Sequence, residues 1–306
     1  MLNSQKKISD IDIRDAFFDE LYDIAEKDRN VVFLTADMSA FSLERFKKDL
    51  SHQYINVGVS EQNMISIAAG LALSGKVVFV YAITPFVTMR CYEQIKVDIS
   101  GMRLPVTIIG AGPGFTYSSD GPTHHSIQDI SIMRALPEMT IINPADSIMA
   151  SAAARISYKS QNPVYVRIDK GKLPQLYSEG NDFSDGLSLL KEGRDLLVIS
   201  TGVMVHQAFK LMDELAKHSI DAGIVDLYRV KPINEKLLLY HIDQSNRLIT
   251  LEEHSSVGGI GSAVVEILVD NGITMPVKRF AIGDKNCKRY GDRDWTHKQY
   301  SLDVDT

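Results

Sequence analysis

Glu61 stands at the head of "GVSEQNMISIAAGLALSG", residues 58–75, in which everything after Asn63 is apolar, small or hydroxyl-bearing. An acid at that place has two possible uses. Ser60 can cap a helix, and a carboxylate in the first turn meets the positive end of the helix dipole for ~0.3–1 kcal/mol. Alternatively, Glu61 is buried at an active site to hydrogen-bond a cofactor. The stretch by itself leaves both open.

A second concentration of chemistry-bearing side chains is "AGPGFTYSSDGPTHH", residues 111–125, with Tyr117, Ser118, Ser119, Asp120, Thr123, His124 and His125. It leaves the C-terminal end of a predicted strand, where parallel α/β sheets place their ligands. Loops this long inside a compact domain are usually functional. Asp120 and His124 could bind hydroxyls or move protons; a surface loop tied by Asx-type turns is the alternative. The G-x-S-x-G elbow that would support Ser/His/Asp hydrolysis is missing. Cys91 and Cys287 stand in dissimilar contexts, so neither a disulfide framework nor a zinc site is indicated.

Two glycine-rich segments invite a nucleotide reading. In "GAGPG" (110–114) Pro113 interrupts the loop and polar coil follows, whereas a dinucleotide site needs a helix to begin at once. "GGIGSAVVEIL" (258–268) lies between a strand and a helix. It reads as a tight turn with close helix–strand packing, or as a small-anion or effector site at the helix N-terminus. No P-loop lysine signature occurs.

The elements that must position these residues alternate. Short β-branched runs, "VVFLTAD" (31–37), "YINVG" (54–58), "KVVFVYA" (76–82), "PVTIIG" (105–110), "MTIIN" (139–143) and "PVYVRI" (163–168), predict strands buried on both faces. Helices are predicted between them at about 10–27, 60–74, 86–100, 126–136 and 145–158. After the polar, Gly- and Ser-rich "GKLPQLYSEGNDFSDG", a second run follows. Its strands are predicted at 195–201, 222–228, 247–253 and 275–280, and its helices at 204–217, 234–241 and 260–270. The expected fold class is α/β, with two mainly parallel sheets in domains at 1–175 and 191–306 joined by a linker at 176–190.

With 306 residues the chain has room for two domains of ~150 each. A net charge of -6 argues against nucleic-acid binding, and the densest basic clusters, "FKKDL" and "KNCKRYGDR", read as solvated faces. No run approaches a membrane span, and "MLNSQKKISD" lacks an apolar signal core. A cytoplasmic enzyme or enzyme subunit is expected.

Taken in order, "GVSEQNM", "YSSDGPTHHSIQDISIMRALPEMTIINPAD", "VDLYRVKPIN" and "LEEHSSVGGIGSAV" resemble the transketolase family of thiamine diphosphate enzymes, over about residues 10–285. Only the back half of a full-length transketolase is represented: a pyrimidine-binding domain followed by the C-terminal domain. The resemblance implies that Glu61 hydrogen-bonds the aminopyrimidine ring of thiamine diphosphate and so activates it. It implies that Asp37 in "LTADMS" lines the cofactor site and that Phe86 in "TPFVTMRCYEQ" stacks on the pyrimidine. Asp120 and His124 match residues that bind the sugar's hydroxyls near the reacting carbon, so His124 joins Glu61 as a catalytic candidate. Arg14 in "IRDAF" and Arg167 in "VYVRIDKGKLP" match arginines that clamp the substrate's distal phosphate, a role suited to a bidentate cation; structural salt bridges are the alternative. Gly112 replaces a phosphate-binding histidine of the family, so phosphate-end recognition is expected to differ.

The family holds the diphosphate through Mg2+ on a Gly-Asp-Gly motif, a hard cation on oxygen ligands. "IGDKN" and "YGDRD" are not that motif, so no metal ligand is expected on this chain. The resemblance therefore implies the C-terminal subunit of a split transketolase-like enzyme, transferring a two-carbon ketol unit from a ketose (phosphate) to an aldose. A separate N-terminal subunit would bring the diphosphate-binding domain and the Mg2+ ligands, and a homodimer of this chain would sit within a heterotetramer. The rival readings are the beta subunit of a 2-oxo acid dehydrogenase's decarboxylating component, a deoxyxylulose-phosphate synthase fragment, and a non-catalytic regulatory homologue.

Overall fold

The structure is a computed structural model that describes residues 8–288 and 290–305. By contact density the chain forms two compact units, one of residues up to 112 with 136–181, the other of 113–135 with 182 onward.

In the first unit six strands form a wholly parallel array in the order β2-β1-β3-β4-β6-β5. They are β1 (Val31–Thr35), β2 (Tyr54–Asn56), β3 (Val77–Ile83), β4 (Val106–Ala111), β5 (Thr140–Ile142) and β6 (Val164–Ile168). Every residue of β1, β4 and β6 is buried, which requires helices on both faces of the sheet. Helix Ile13–Lys27 packs along Ser147–Lys159, and helix Glu61–Leu73 lies against β3. Asp12 and Asp146 cap two of these helices by accepting from Arg14 N and Met149 N. Phe18, Phe33 and Tyr81 form an edge-to-face cluster between the first helix and the sheet.

In the second unit five strands run β12-β11-β8-β9-β7. They are β7 (Ser188–Lys191), β8 (Leu196–Ser200), β9 (Ala222–Asp226), β11 (Leu248–Ser255) and β12 (Val277–Ile282), with a short β10 (Arg229–Lys231) after β9. All pairs are parallel except β7, which runs antiparallel to β9 as an edge strand. The α/β class and the mainly parallel sheets are as expected. Helices Met204–Lys217 and Ile260–Asp270 begin and end where the sequence places them.

One predicted helix is broken and two further helices appear. The helix predicted at 86–100 is broken into Thr84–Val87, Tyr92–Gln94 and a π-helical turn Ile95–Ser100. Arg90 N reaches back to Pro85 O and Gly101 N to Lys96 O, both five residues away, so the ladder widens instead of continuing. The lysines of "FKKDL" are exposed, as expected of a solvated face, on a further helix, Phe41–Asp49, which buries Leu43 and Phe46. "YGDR" leads into a last helix, Arg293–Gln299, capped by Asp292 on Trp295 N.

Candidate functional site

The C-terminal ends of adjacent strands β2, β1 and β3 bring the first group of residues to one edge of the first sheet. After β1 the chain turns at Asp37, in the left-handed region at φ 56°. Asp37 N donates to Asn56 Oδ1 at 3.1 Å and Asn56 Nδ2 returns a bond to Asp37 Oδ1 at 3.1 Å, so the ends of β1 and β2 are tied side chain to chain. Two residues past β2, Gly58 N donates to the same Asn56 oxygen at 2.9 Å. The helix of Glu61 begins next. Ser60 makes no side-chain capping bond, contrary to the expectation; its carbonyl accepts from Met64 N instead.

Glu61 is buried, 4% exposed. Its Oε2 accepts from Arg90 Nη1 at 2.8 Å, and Arg90 lies with its guanidinium carbon 4.1 Å from the centre of the Phe86 ring. The broken helix after β3 makes this possible: Thr84–Val87 presents Phe86, and the irregular turn that follows aims Arg90 back across it. Behind them the Cys91 thiol donates to Phe86 O, and burial, reinforced by Glu61, pushes its pKa up to about 12, so it stays a neutral packing group. Glu61 and Phe86 are thus brought to one place. Arg90, which joins them, was missed in the sequence; its signal was a cation four residues after an aromatic, one helical turn on.

Arg14 opens the first helix, with Nη1 3.5 Å from Tyr81 Oη. Burial opposes its charge, but Tyr81, Asp12 and Asp15 together hold the guanidinium above its ordinary value. Its Nε is buried with no hydrogen-bond partner among the described residues. Arg167 is 3% exposed, one residue before the C-terminal end of β6. Past Arg167 the chain returns to the start of the first helix, where Gly171 N donates to Asp12 Oδ2 at 2.8 Å and Ile13 N to Gly171 O at 2.9 Å.

Asp120 and His124 belong to the second unit. Their loop is closed at its neck by an antiparallel bridge, Gly114 N to Ser126 O at 2.8 Å and Ser126 N to Gly114 O at 2.9 Å. Phe115, Ser118, His125 and Ser126 turn inward and are buried; Asp120 and Thr123 face outward and His124 is half-buried. His125 Nε2 meets Ser118 O at 3.1 Å, spanning the loop, and His124 Nδ1 lies 3.0 Å from Thr123 Oγ1. The adjacent histidines therefore divide the work: His125 holds the loop and His124 is presented with Asp120. Gly112, with φ 73°, remains in the first unit, its N–H bonded to Ile168 O at 3.0 Å.

The glycine-rich turn at 258–261 resolves as close packing. Glu252, 1% exposed in β11, accepts from Ile260 N at 2.7 Å and Gly261 N at 2.9 Å. A Cβ at Gly259 would collide with that carboxylate. The chain's own acid fills the positive end of the helix, so the effector-site reading is overturned. Among the described residues no group of three or more His, Cys, Asp or Glu could hold a metal ion, and no helix is long and apolar enough to cross a membrane.

Comparison with known proteins fits this geometry. The family description "Transketolase, pyrimidine binding domain" matches residues 9–175 and "Transketolase, C-terminal domain" matches 186–305. The chain is 37% identical to the 6-deoxy-6-sulfo-D-fructose transketolase subunit SqwH of Clostridium sp. (strain MSTE9), over 95% of this chain and 90% of that one. It is 35% identical to an apulose-4-phosphate transketolase subunit of Phocaeicola vulgatus, over 95% and 93%. A solved structure described as a split gene transketolase, inactive beta4 tetramer, superimposes with a TM-score of 0.86 at 30% identity, covering 97% of this chain and 95% of that one. A 1-deoxy-D-xylulose-5-phosphate synthase of Crocosphaera subtropica is 32% identical, but over only 43% of its own length.

Proposed function

Since the chain belongs to the transketolase family, we propose that it works as the C-terminal subunit of a split enzyme that moves a two-carbon ketol unit from a ketose to an aldose. The supporting observation is its length-for-length match to subunits of split transketolases, against less than half the length of the synthase relative. The subunit called an inactive tetramer of its own kind supports a requirement for a second, N-terminal subunit. That partner would supply the diphosphate-binding domain and the Mg2+ ligands, with two copies of this chain in a heterotetramer. The named relatives act on sugars or sugar phosphates, so the same substrate class is proposed here.

The residues fit the family's cofactor. Glu61 is a buried acceptor beside an aromatic face, with an exposed arginine as its present partner. Thiamine diphosphate, when bound, supplies an acidic thiazolium carbon able to attack a ketose carbonyl. Glu61 would share a proton with the pyrimidine ring nitrogen, in a site where burial strengthens the bond. Phe86 would support the ring by stacking, and Asp37 would line the site from the end of β1. Asp120 and His124 would bind the sugar's hydroxyls, and His124 would exchange a proton with the oxygen at the reacting carbon. Arg14 and Arg167 would take the distal phosphate; a buried guanidinium nitrogen with no partner suits an incoming anion.

Co-purification of the native complex, followed by a ketol-transfer assay with ketose donors and aldose acceptors, tests the proposal. The expected result is transfer that depends on both chains and on thiamine diphosphate. Decarboxylation of a 2-oxo acid by the complex, without ketol transfer, would overturn it in favour of the dehydrogenase reading.

A further inference from the structure

Within the second unit, the loop that presents Asp120 and His124 rests on a buried ion cluster at the end of the chain. Glu253, in β11, is 2% exposed. Arg293 grips it as a fork, Nε to Oε1 at 2.8 Å and Nη2 to Oε2 at 2.6 Å, and His297 Nε2 also bonds Oε1. The carboxylate lies against the loop's neck: Gly114 has φ 57°, and a Cβ there would run into Glu253. Two more contacts join the same elements. Tyr300, just past the last helix, stacks on Phe115 with ring centres 5.5 Å apart and planes at 21°, and Tyr290 packs against Gly121. Ser255 N, two residues after Glu253, donates to Ile127 O at 2.7 Å, fixing the far side of the neck.

Arg293 departs from the reading of "KNCKRYGDR" as a solvated face, because its guanidinium is tied to a buried acid, while Lys285 and Lys288 are exposed as expected. Its acid partner is 40 residues away along the chain, so local charge pattern could not reveal it. A buried ion pair adds little stability over an apolar filling of the same volume. What it does supply is direction: a two-pronged guanidinium allows a carboxylate one orientation. A hydroxyl-binding Asp and His on a long loop need such support, because a small misplacement of binding groups costs rate.

We propose that Glu253, Arg293 and His297 are positioning residues for the substrate: they fix the Gly114–Ser126 neck and thereby the placement of Asp120 and His124. The inference rests on the sugar-binding role proposed above for that loop. It also gives the C-terminal domain a task in the reaction, as the seat of the substrate loop.

The test compares Arg293→Met and Arg293→Lys with the unaltered chain. Amide hydrogen exchange on the full chain should quicken about tenfold or more across residues 114–126 in Arg293→Met, while β8 and β9 keep their protection. In the reconstituted complex, KM for the ketose should rise about tenfold with apparent cofactor affinity unchanged, which marks lost substrate positioning. Arg293→Lys, which keeps the charge but not the fork, should fall between. Unchanged loop exchange in Arg293→Met overturns the proposal, as does faster exchange with unaltered KM and kcat. Should Arg293→Met loosen the whole unit, Tyr300→Leu, which removes the ring stacked on Phe115 and leaves Arg293 in place, decides by the same two readings. Exchange needs no activity, so a complex incapable of ketol transfer would refute the proposed function while the exchange data still judge the neck.

Discussion

Arg90 donates to Glu61 at 2.8 Å while its guanidinium carbon lies over Phe86, 4.1 Å from the ring centre. One exposed side chain thus makes both interactions that the pyrimidine ring is proposed to make, a hydrogen bond to the acid and stacking on the aromatic. Glu61→Ala should abolish ketol transfer, a loss of at least ~100-fold for a group that moves a proton, with an unchanged circular dichroism spectrum. The fold survives because Arg90 is exposed and regains water when its partner goes. Full activity in the variant would remove Glu61 from the reaction.

Arg90→Ala separates the two uses of that geometry. If the guanidinium must swing aside for the cofactor, the variant complex should bind thiamine diphosphate at least as tightly as the unaltered one, measured by calorimetric titration. A loss of affinity would mean that Arg90 contributes to the bound state.

Asp120→Ala and His124→Ala should impair sugar turnover far more than cofactor affinity. A substrate hydroxyl left unpaired in a closed site costs about 1–3 kcal/mol. Thermal unfolding should shift little, since Asp120 is exposed and the loop is held from its inner side by His125, Phe115 and Ser126. Normal turnover with weakened cofactor binding would displace the loop from the substrate role.

Legibility in the sequence followed the range of the interactions. Strands such as β1 and β8 were plain because burial on both faces demands nearly unbroken apolar runs. The helices at 204 and 260 were plain because their apolar periodicity is local. The break at Thr88–Cys91 was hidden, since "TPFVTMRCYEQ" reads as helix until the widened turns are seen. Glu61, Asp120 and His124 stood out as polar groups where apolar or turn residues would serve. Arg293, His297 and Glu253 did not, because each looks ordinary until the fold brings them together.

The Glu253 cluster also predicts an acid response. Burial raises the cost of its charge, but Arg293 and His297 more than offset this and hold the carboxyl well below its ordinary 4.5. The folded state therefore binds this proton less readily than the unfolded state does. The stability it contributes is complete above about pH 4.5 and is lost as the pH falls towards the folded-state value. Trp295, the chain's single tryptophan, sits in the same helix between Arg293 and His297 and reports on it. Its fluorescence should change on acidification below that point, and Glu253→Gln should flatten the acid limb. Identical acid limbs in the two proteins would show that this carboxylate is not the titrating group.

Isolated from any partner, the chain should be inert with thiamine diphosphate and magnesium. One small ring in a pocket gains too little to offset the freedom lost on binding. Calorimetric titration of cofactor into the chain alone should give no saturable heat, and addition of the N-terminal subunit should restore both binding and turnover. Tight binding and turnover by this polypeptide alone would remove the need for a second chain.

The chain leaves its first sheet after β4, builds residues 113–135 into the second unit, and comes back to form β5. The two domains are therefore not modular. A gene fragment stopping at residue 181 would encode Phe115, Ile127, Ile130 and Met133, all buried in the whole chain, without the strand and C-terminal helix that their segment folds onto. Recombination that swapped one domain for a relative's would break the fit between Gly114 and Glu253. Residues 113–135 and the C-terminal domain thus form one packing unit, although the pyrimidine-binding domain spans that segment in the sequence.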